Sequence, residues 1–172
     1  QTLFAYLHLA GDQENAKQLI DTGITGIAYE TVTASDGSMP LLAPMSTIAG
    51  QLAFVVGSYH LLKHNKGKGV MIGKMEDIDP RVVTVIGAGV AVTQSILKAQ
   101  DNRAHVKVVD SSQEKLDELK SKYDSNNIEY ILSTKDSIQS SINESDLVIG
   151  SVYVVGKEAP KVITKDMLTS MT

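Results

Sequence analysis

Between residues 82 and 150 short apolar runs alternate with helix-length amphipathic stretches, and this alternation constrains the fold more than any other feature of the sequence. Val82–Ile86 is an unbroken β-branched run, the composition of a strand buried on both faces of a parallel sheet. The pattern predicts a helix over about 90–100, a strand at 106–109, a helix over 112–123, a strand at 128–132, a helix over about 134–143 and a strand at 146–150. A last helix is predicted over 164–171 with Thr164 as N-cap. In the helix over 112–123, Leu116 and Leu119 fall on the inward face, while Glu114, Asp117, Glu118 and Ser121 face water. Helix-length connections between successive strands are what parallel pairing requires. The expected fold class is therefore α/β, a doubly wound parallel sheet with helices on both faces.

The earlier residues read differently. Residues 2–9 are predicted to form a short buried strand or strand end, Asp12 to cap a helix over about 13–22 that Gly23 ends, and residues 26–31 to form a second strand. Ser35–Ser38 and Pro40 lie in a turn or loop. A long helix follows over about 45–64, with Pro44 suiting its first turn. Ser46, Gly50, Ala53 and Gly57 place small residues along one of its faces, which lets another element approach closely. Ile48, Leu52, Val55, Val56, Tyr59 and Leu62 supply apolar bulk, so the helix is expected to be buried on much of its circumference, bridging two domains or packing in a subunit contact. The basic loop Lys63–Lys68 reads as a solvated helix end. The domain boundary is expected near residue 44, with 1–43 a fragment of a second α/β domain and 44–172 the parallel-sheet domain.

The chain turns from strand to helix at Gly87-Ala88-Gly89-Val90. Gly87 permits the tight turn, and Gly89 lets backbone N–H groups approach a pyrophosphate at the helix N-terminus. Asp110 ends the next strand, 23 residues after Gly87, where a carboxylate can accept hydrogen bonds from both ribose hydroxyls of an adenosine. It would repel a 2′-phosphate, and no Arg follows it, so NAD is favoured over NADP. This is a Rossmann-type pattern, with Val92 at the position of the third glycine. A flavodoxin-like or other parallel domain that binds no dinucleotide is the competing reading.

Composition removes several other classes. A net charge of −4 over 172 residues supplies no basic field for a nucleic-acid backbone. The absence of Cys excludes disulfides, thiolate metal sites and a Cys nucleophile, and fits a reducing compartment. No apolar run is long enough to cross a bilayer, and no secretory leader is evident. His60 and His64 lie four apart on one helix, but no third ligand is near, and no metal site is expected. Asn143-Glu144-Ser145 matches a glycosylation sequon without any sign of secretion.

Other strings are more specific than the glycine turn. TLFAYLHLA (2–10), IAYETV (27–32), LLAPMS (41–46), Ala49-Gly50, DLVIG (146–150) and APKVIT (159–164) follow one another along the whole chain. With the GAG turn they resemble the L-alanine dehydrogenase family; proton-translocating transhydrogenase shares that fold family but is less similar in the early strings. The resemblance implies a two-domain, NAD-dependent, cytoplasmic enzyme, hexameric in the family, that interconverts L-alanine with pyruvate and ammonium in a cleft between its domains. It implies that His8 serves the substrate carbonyl and proton traffic. Taken without the family, His8 is a lone His on an apolar strand, for which a satisfied core histidine is the better reading. The resemblance further implies that Ser46 reaches the nucleotide, Gly87, Ala88, Gly89 and Val90 hold its phosphates, Asp110 its adenosine ribose, and Lys115 the adenosine side. Ser133 would edge the adenine pocket, and Val152 and Tyr153 would lie near the nicotinamide-side ribose. Tyr29 and Glu30 read as structural supports.

The departures from the family pattern are Val92, Asp101–Ala104 in place of a glycine-containing turn, and residues 74–79 in place of a glycine- and valine-rich loop. The family's basic substrate ligands and its second catalytic carboxylate are not among these residues. The chain is therefore expected to be a central segment of a longer protein, inactive alone. A transhydrogenase-like or catalytically degenerate nucleotide-binding module is the alternative.

Overall fold

The computed structural model describes residues 1–154 and 159–171. They form two compact units. The first comprises Gln1–Ser46 with the described part of Tyr153–Pro160, and the second Thr47–Val152 with Lys161–Thr172, of which Thr172 is outside the described residues.

In the first unit, β1 (Thr2–Ala5) pairs in parallel with β2 (Thr25–Ala28) through the helix α1 (Gln13–Asp21). The Asp12 carboxylate caps α1 by accepting from the Asn15 N–H at 3.0 Å. Gly23, at φ 66°, takes the left-handed conformation beyond its end. The expected burial of the first strand is not found: Leu3 and Phe4 are 39% and 48% exposed. Among the described residues this parallel pair has no third strand, and it has too little neighbouring surface to cover both faces. Aromatic edges replace a core there, with Tyr29 packed edge-on against Phe4 and Tyr6 at centroid distances of 4.3 and 5.0 Å. The second strand also stops sooner than expected. Tyr29–Thr31 turn into a single 3₁₀ turn.

The second unit is a four-stranded parallel sheet: β3 (Val82–Ile86), β4 (His105–Asp110), β5 (Ile128–Leu132) and β6 (Leu147–Gly150), in the order β5-β4-β3-β6. Helices α3 (Val90–Asp101), α4 (Gln113–Tyr123) and α5 (Lys135–Asn143) connect the strands, and α6 (Lys165–Leu168) follows. Alternate residues feed two cores on opposite faces. Val83, Val85, Val106 and Val108 pack with Phe54, Val92, Ile96, Ala99, Leu116 and Leu119. Ile86 and Val109 pack with Ile138, Ile142 and Met167. The second face also carries polar groups that are satisfied in place. Thr84 and Ser145 share a hydroxyl hydrogen bond of 2.6 Å, and the buried Lys107 is paired with Glu144.

The long helix α2 spans Ala43–His60. Its small-residue face does receive a close neighbour. A Cβ at Gly50 would stand 2.0 Å from the Ala91 carbonyl oxygen, and one at Gly57 would stand 2.6 Å from the Leu147 side chain. The expectation of burial around most of the helix is corrected. Ile48, Leu52, Val55, Val56 and Tyr59 are all about half exposed. Only the face bearing Gly50 and Phe54 meets the sheet domain, so periodicity reported apolar residues without reporting what covers them.

Candidate functional site

All four strands of the second unit run in the same direction, so their C-terminal ends form one edge. Three backbone hydrogen bonds tie that edge together: Gly87 N–H to Val109 at 2.8 Å, Ser133 N–H to Asp110 at 2.8 Å, and Ser151 N–H to Ile86 at 2.9 Å. The strand order reverses between β3 and β6, the position at which open α/β sheets leave a crevice. Gly87 is required there. Its φ is 117°, and a Cβ would stand 2.8 Å from the Ser151 carbonyl oxygen. Gly89 is the N-cap position of α3, and the space beside it is open.

The start of α3 differs from those of its neighbours. Ser112, Thr134 and Thr164 cap α4, α5 and α6 with their side chains. Among the described residues α3 has no side-chain cap, so the N–H groups of its first turn are left for another acceptor. Ala88 packs on the core, whereas Val90 is exposed. Asp110 stands at the end of β4, where its Oδ1 accepts from the Ser112 N–H at 2.8 Å. Its Oδ2 makes no hydrogen bond among the described residues. Ser133 is half-buried at the end of β5, and Lys115 is exposed in the first turn of α4. Val152 turns its side chain into the second core. Val92, which departs from the fingerprint, is fully buried beneath the turn, with its Cγ2 3.2 Å from a Cβ placed on Gly87. The close helix approach is made instead where Gly50 meets Ala91.

The remaining predicted residues lie in the first unit. His8 is exposed and adopts φ 51°, ψ 32°, the left-handed region. It lines a cleft of about 600 Å³ with Leu9, Ala28, Glu30, Leu42 and Tyr153, among others. Tyr153 donates to the Glu30 carbonyl at 3.3 Å. Ser46 is in α2, its N–H bonded to the Leu42 carbonyl at 3.0 Å.

Glu30, read from sequence as a support, has that role in a specific form. Its Oε1 accepts from the His8 N–H at 2.6 Å and the Leu7 N–H at 3.1 Å, and its Oε2 lies 3.3 Å from the Leu7 nitrogen. Burial pushes its carboxyl up. The amides of Glu30, His8 and Leu7, with the charge of His8, outweigh that effect and hold the group below its ordinary value. One signal of this contact is visible in the sequence, the single acid in the string IAYETV. Nothing identified its partners 22 and 23 residues away.

A glycine turn, an uncapped helix and an acid at the next strand's end, set at the switch point of a parallel sheet, define a Rossmann-type α/β protein. The model of the alanine dehydrogenase/PNT C-terminal domain matches residues 53–172, and that of the N-terminal domain matches residues 1–49. The chain belongs to the alanine dehydrogenase/PNT family. It is 44% identical to alanine dehydrogenase of Halomonas elongata and 42% identical to that of Lysinibacillus sphaericus, each over 99% of this chain and 46% of the relative. It thus spans about half the length of the curated relatives it matches. A solved L-alanine dehydrogenase superposes with a TM-score of 0.87 at 37% identity, covering 100% of this chain and 47% of that one. A transhydrogenase from Sinorhizobium meliloti, with a TM-score of 0.75 at 22% identity over 99% of this chain and 50% of that one, shares the fold.

Proposed function

We propose that the protein containing this chain is an NAD-dependent alanine dehydrogenase, converting L-alanine and water to pyruvate and ammonium. Residues 44–172 are its cofactor domain and residues 1–43 part of its substrate domain. The observation that carries the cofactor reading is the uncapped start of α3 behind the Gly87 turn, with the Asp110 carboxylate at the next strand end. The residues fit a dinucleotide. The first-turn N–H groups suit a pyrophosphate, the open side of Gly89 leaves it room, and Asp110 has an oxygen for ribose hydroxyls. Ser133, Lys115, Ser46, Val152 and Tyr153 are read as further contacts.

When bound, NAD supplies the hydride acceptor for oxidation at the amino-acid Cα. The chain's own residues bind, orient and move protons. His8 is exposed in its cleft, and an imidazole suits the proton transfers that accompany addition of water and loss of ammonia near neutrality. The exposed apolar side of α2 supports a homo-oligomer, since such a stripe is otherwise left in water. The 172 residues are expected to bind cofactor without completing turnover, because the basic substrate ligands and second carboxylate implied by the family resemblance are not among them. The test is NADH formation from L-alanine by the full-length protein. Turnover with NAD but little with NADP, lowered about 10²-fold or more by His8→Ala, is expected. Undiminished activity in His8→Ala, or no alanine-dependent NADH, would contradict the reading.

A further inference from the structure

We infer that Glu30 is the positioning residue for His8, setting where the imidazole points by holding the backbone beneath it in a conformation it would otherwise leave. The inference rests on the proton-transfer role proposed for His8.

An L-residue in the left-handed region is disfavoured by contact between its Cβ and the backbone, and His8 sits there at φ 51°, ψ 32°. Among the described residues three others besides glycine share that sign of φ: Lys66, Asp77 and Arg103. Among the described residues none of these three amides donates to a side-chain carboxylate; those of Lys66 and Arg103 donate to backbone carbonyls. His8 does, at 2.6 Å, and the same carboxylate accepts from the amide before it. Two consecutive N–H groups converging on one acceptor oxygen require the chain to bend around it, and the bend here is the left-handed residue. If that acceptor oxygen is removed, the segment relaxes toward extended backbone, and the Cα–Cβ bond of His8 swings away with it.

Glu30 is poorly placed to act as an acid or base itself. It is 7% exposed, its oxygens are occupied by amides, and the same amides favour its ionised form. Tyr153 donates to its carbonyl at 3.3 Å, which restrains the Glu30 backbone from the side of the cleft. The carboxylate therefore acts through His8 and not on substrate.

The test is a double-mutant cycle in the full-length protein, reading kcat for L-alanine oxidation and the KM for NAD. Glu30→Ala is expected to lower kcat about tenfold to a hundredfold, with the KM for NAD changed less than about twofold. In a His8→Ala background the same change is expected to cost less than about twofold, because there is no imidazole left to misplace. Glu30→Gln keeps a carbonyl oxygen for the two amides and is expected to retain kcat within about fivefold. If Glu30→Ala does not fold, Glu30→Gln enters the same cycle and must be silent in the His8→Ala background. Equal losses in both backgrounds would overturn the positioning role while leaving that of His8 intact. Equal damage from Gln and Ala would overturn it as well, since charge and not the amide clamp would then matter. A harmless His8→Ala would overturn both the underlying reading and this one.

Discussion

Both sheets of this chain are parallel, yet they are held together in different ways. In the second unit Val83, Val85, Val106 and Val108 are fully buried between layers of helix side chains. In the first, Leu3, Phe4 and Ile27 are about 40–50% exposed, and order comes from discrete contacts: the Glu30 clamp, the Tyr6 hydroxyl on the Leu41 carbonyl at 2.6 Å, and the aromatic edges around Tyr29. Apolar burial is spread over many residues and resists any one change short of a cavity or a clash. A few polar contacts concentrate the same burden on single side chains. The cofactor residues proposed here lie largely on the first kind of scaffold, and His8 on the second.

The contrast breaks most severely at Gly50. Gly50→Ala places a methyl group into the Ala91 backbone, and a loss of about 3 kcal/mol or more is expected in chemical denaturation. Gly89→Ala, with open space beside it, should fall within about 0.5 kcal/mol. Cavity formation gives the next largest effect. Ile96→Ala, in the buried core, should cost about 2–5 kcal/mol, whereas Ile27→Ala on the exposed β2 should cost less than about 1 kcal/mol. Equal costs at the two isoleucines would erase the distinction between the units.

Acid should reach the first unit through Glu30. The folded pKa of Glu30 lies below its ordinary value of 4.5, so the stability it contributes is present above that pH and is lost as pH falls through the lower folded value. A ¹³C NMR titration of the Glu30 side-chain carboxyl carbon should show it protonating only below about pH 4.5. Protonation of the Glu30 carboxyl at or above pH 4.5 would argue against the clamp. A small effect of the opposite sign is expected at Arg103, which holds φ 56° just after α3 where the family resemblance implies a glycine-containing turn. Arg103→Gly should stabilise the chain by about 0.5–1 kcal/mol in the same denaturation measurement.

The second unit was largely legible in the sequence because its strands are buried on both faces, which forces continuous β-branched runs such as Val82–Ile86. The caps were legible for the same kind of local reason: Asp12 and Thr164 each act within three residues of their own position. The small-residue face of α2 was visible, but not that Ala91 would meet it. Burial was overestimated for α2 and for β1, because apolar content does not show whether a neighbouring surface exists. The glycine turn and Asp110 were legible from spacing alone. The hold of Glu30 on His8 was not, since it joins a side chain to backbone amides more than 20 residues away and leaves no periodic trace.

The most direct test of the cofactor reading is a fluorescence titration of this chain with NADH, with NADPH and the Asp110→Ala variant in parallel. Saturable NADH binding is expected, at least about tenfold weaker for NADPH and for Asp110→Ala, since one lost charge-assisted contact is worth about 1.5–3 kcal/mol. A folded chain that does not bind NADH, or that binds it equally well without the Asp110 carboxylate, would contradict the assignment of the glycine turn and its acidic partner as a dinucleotide site.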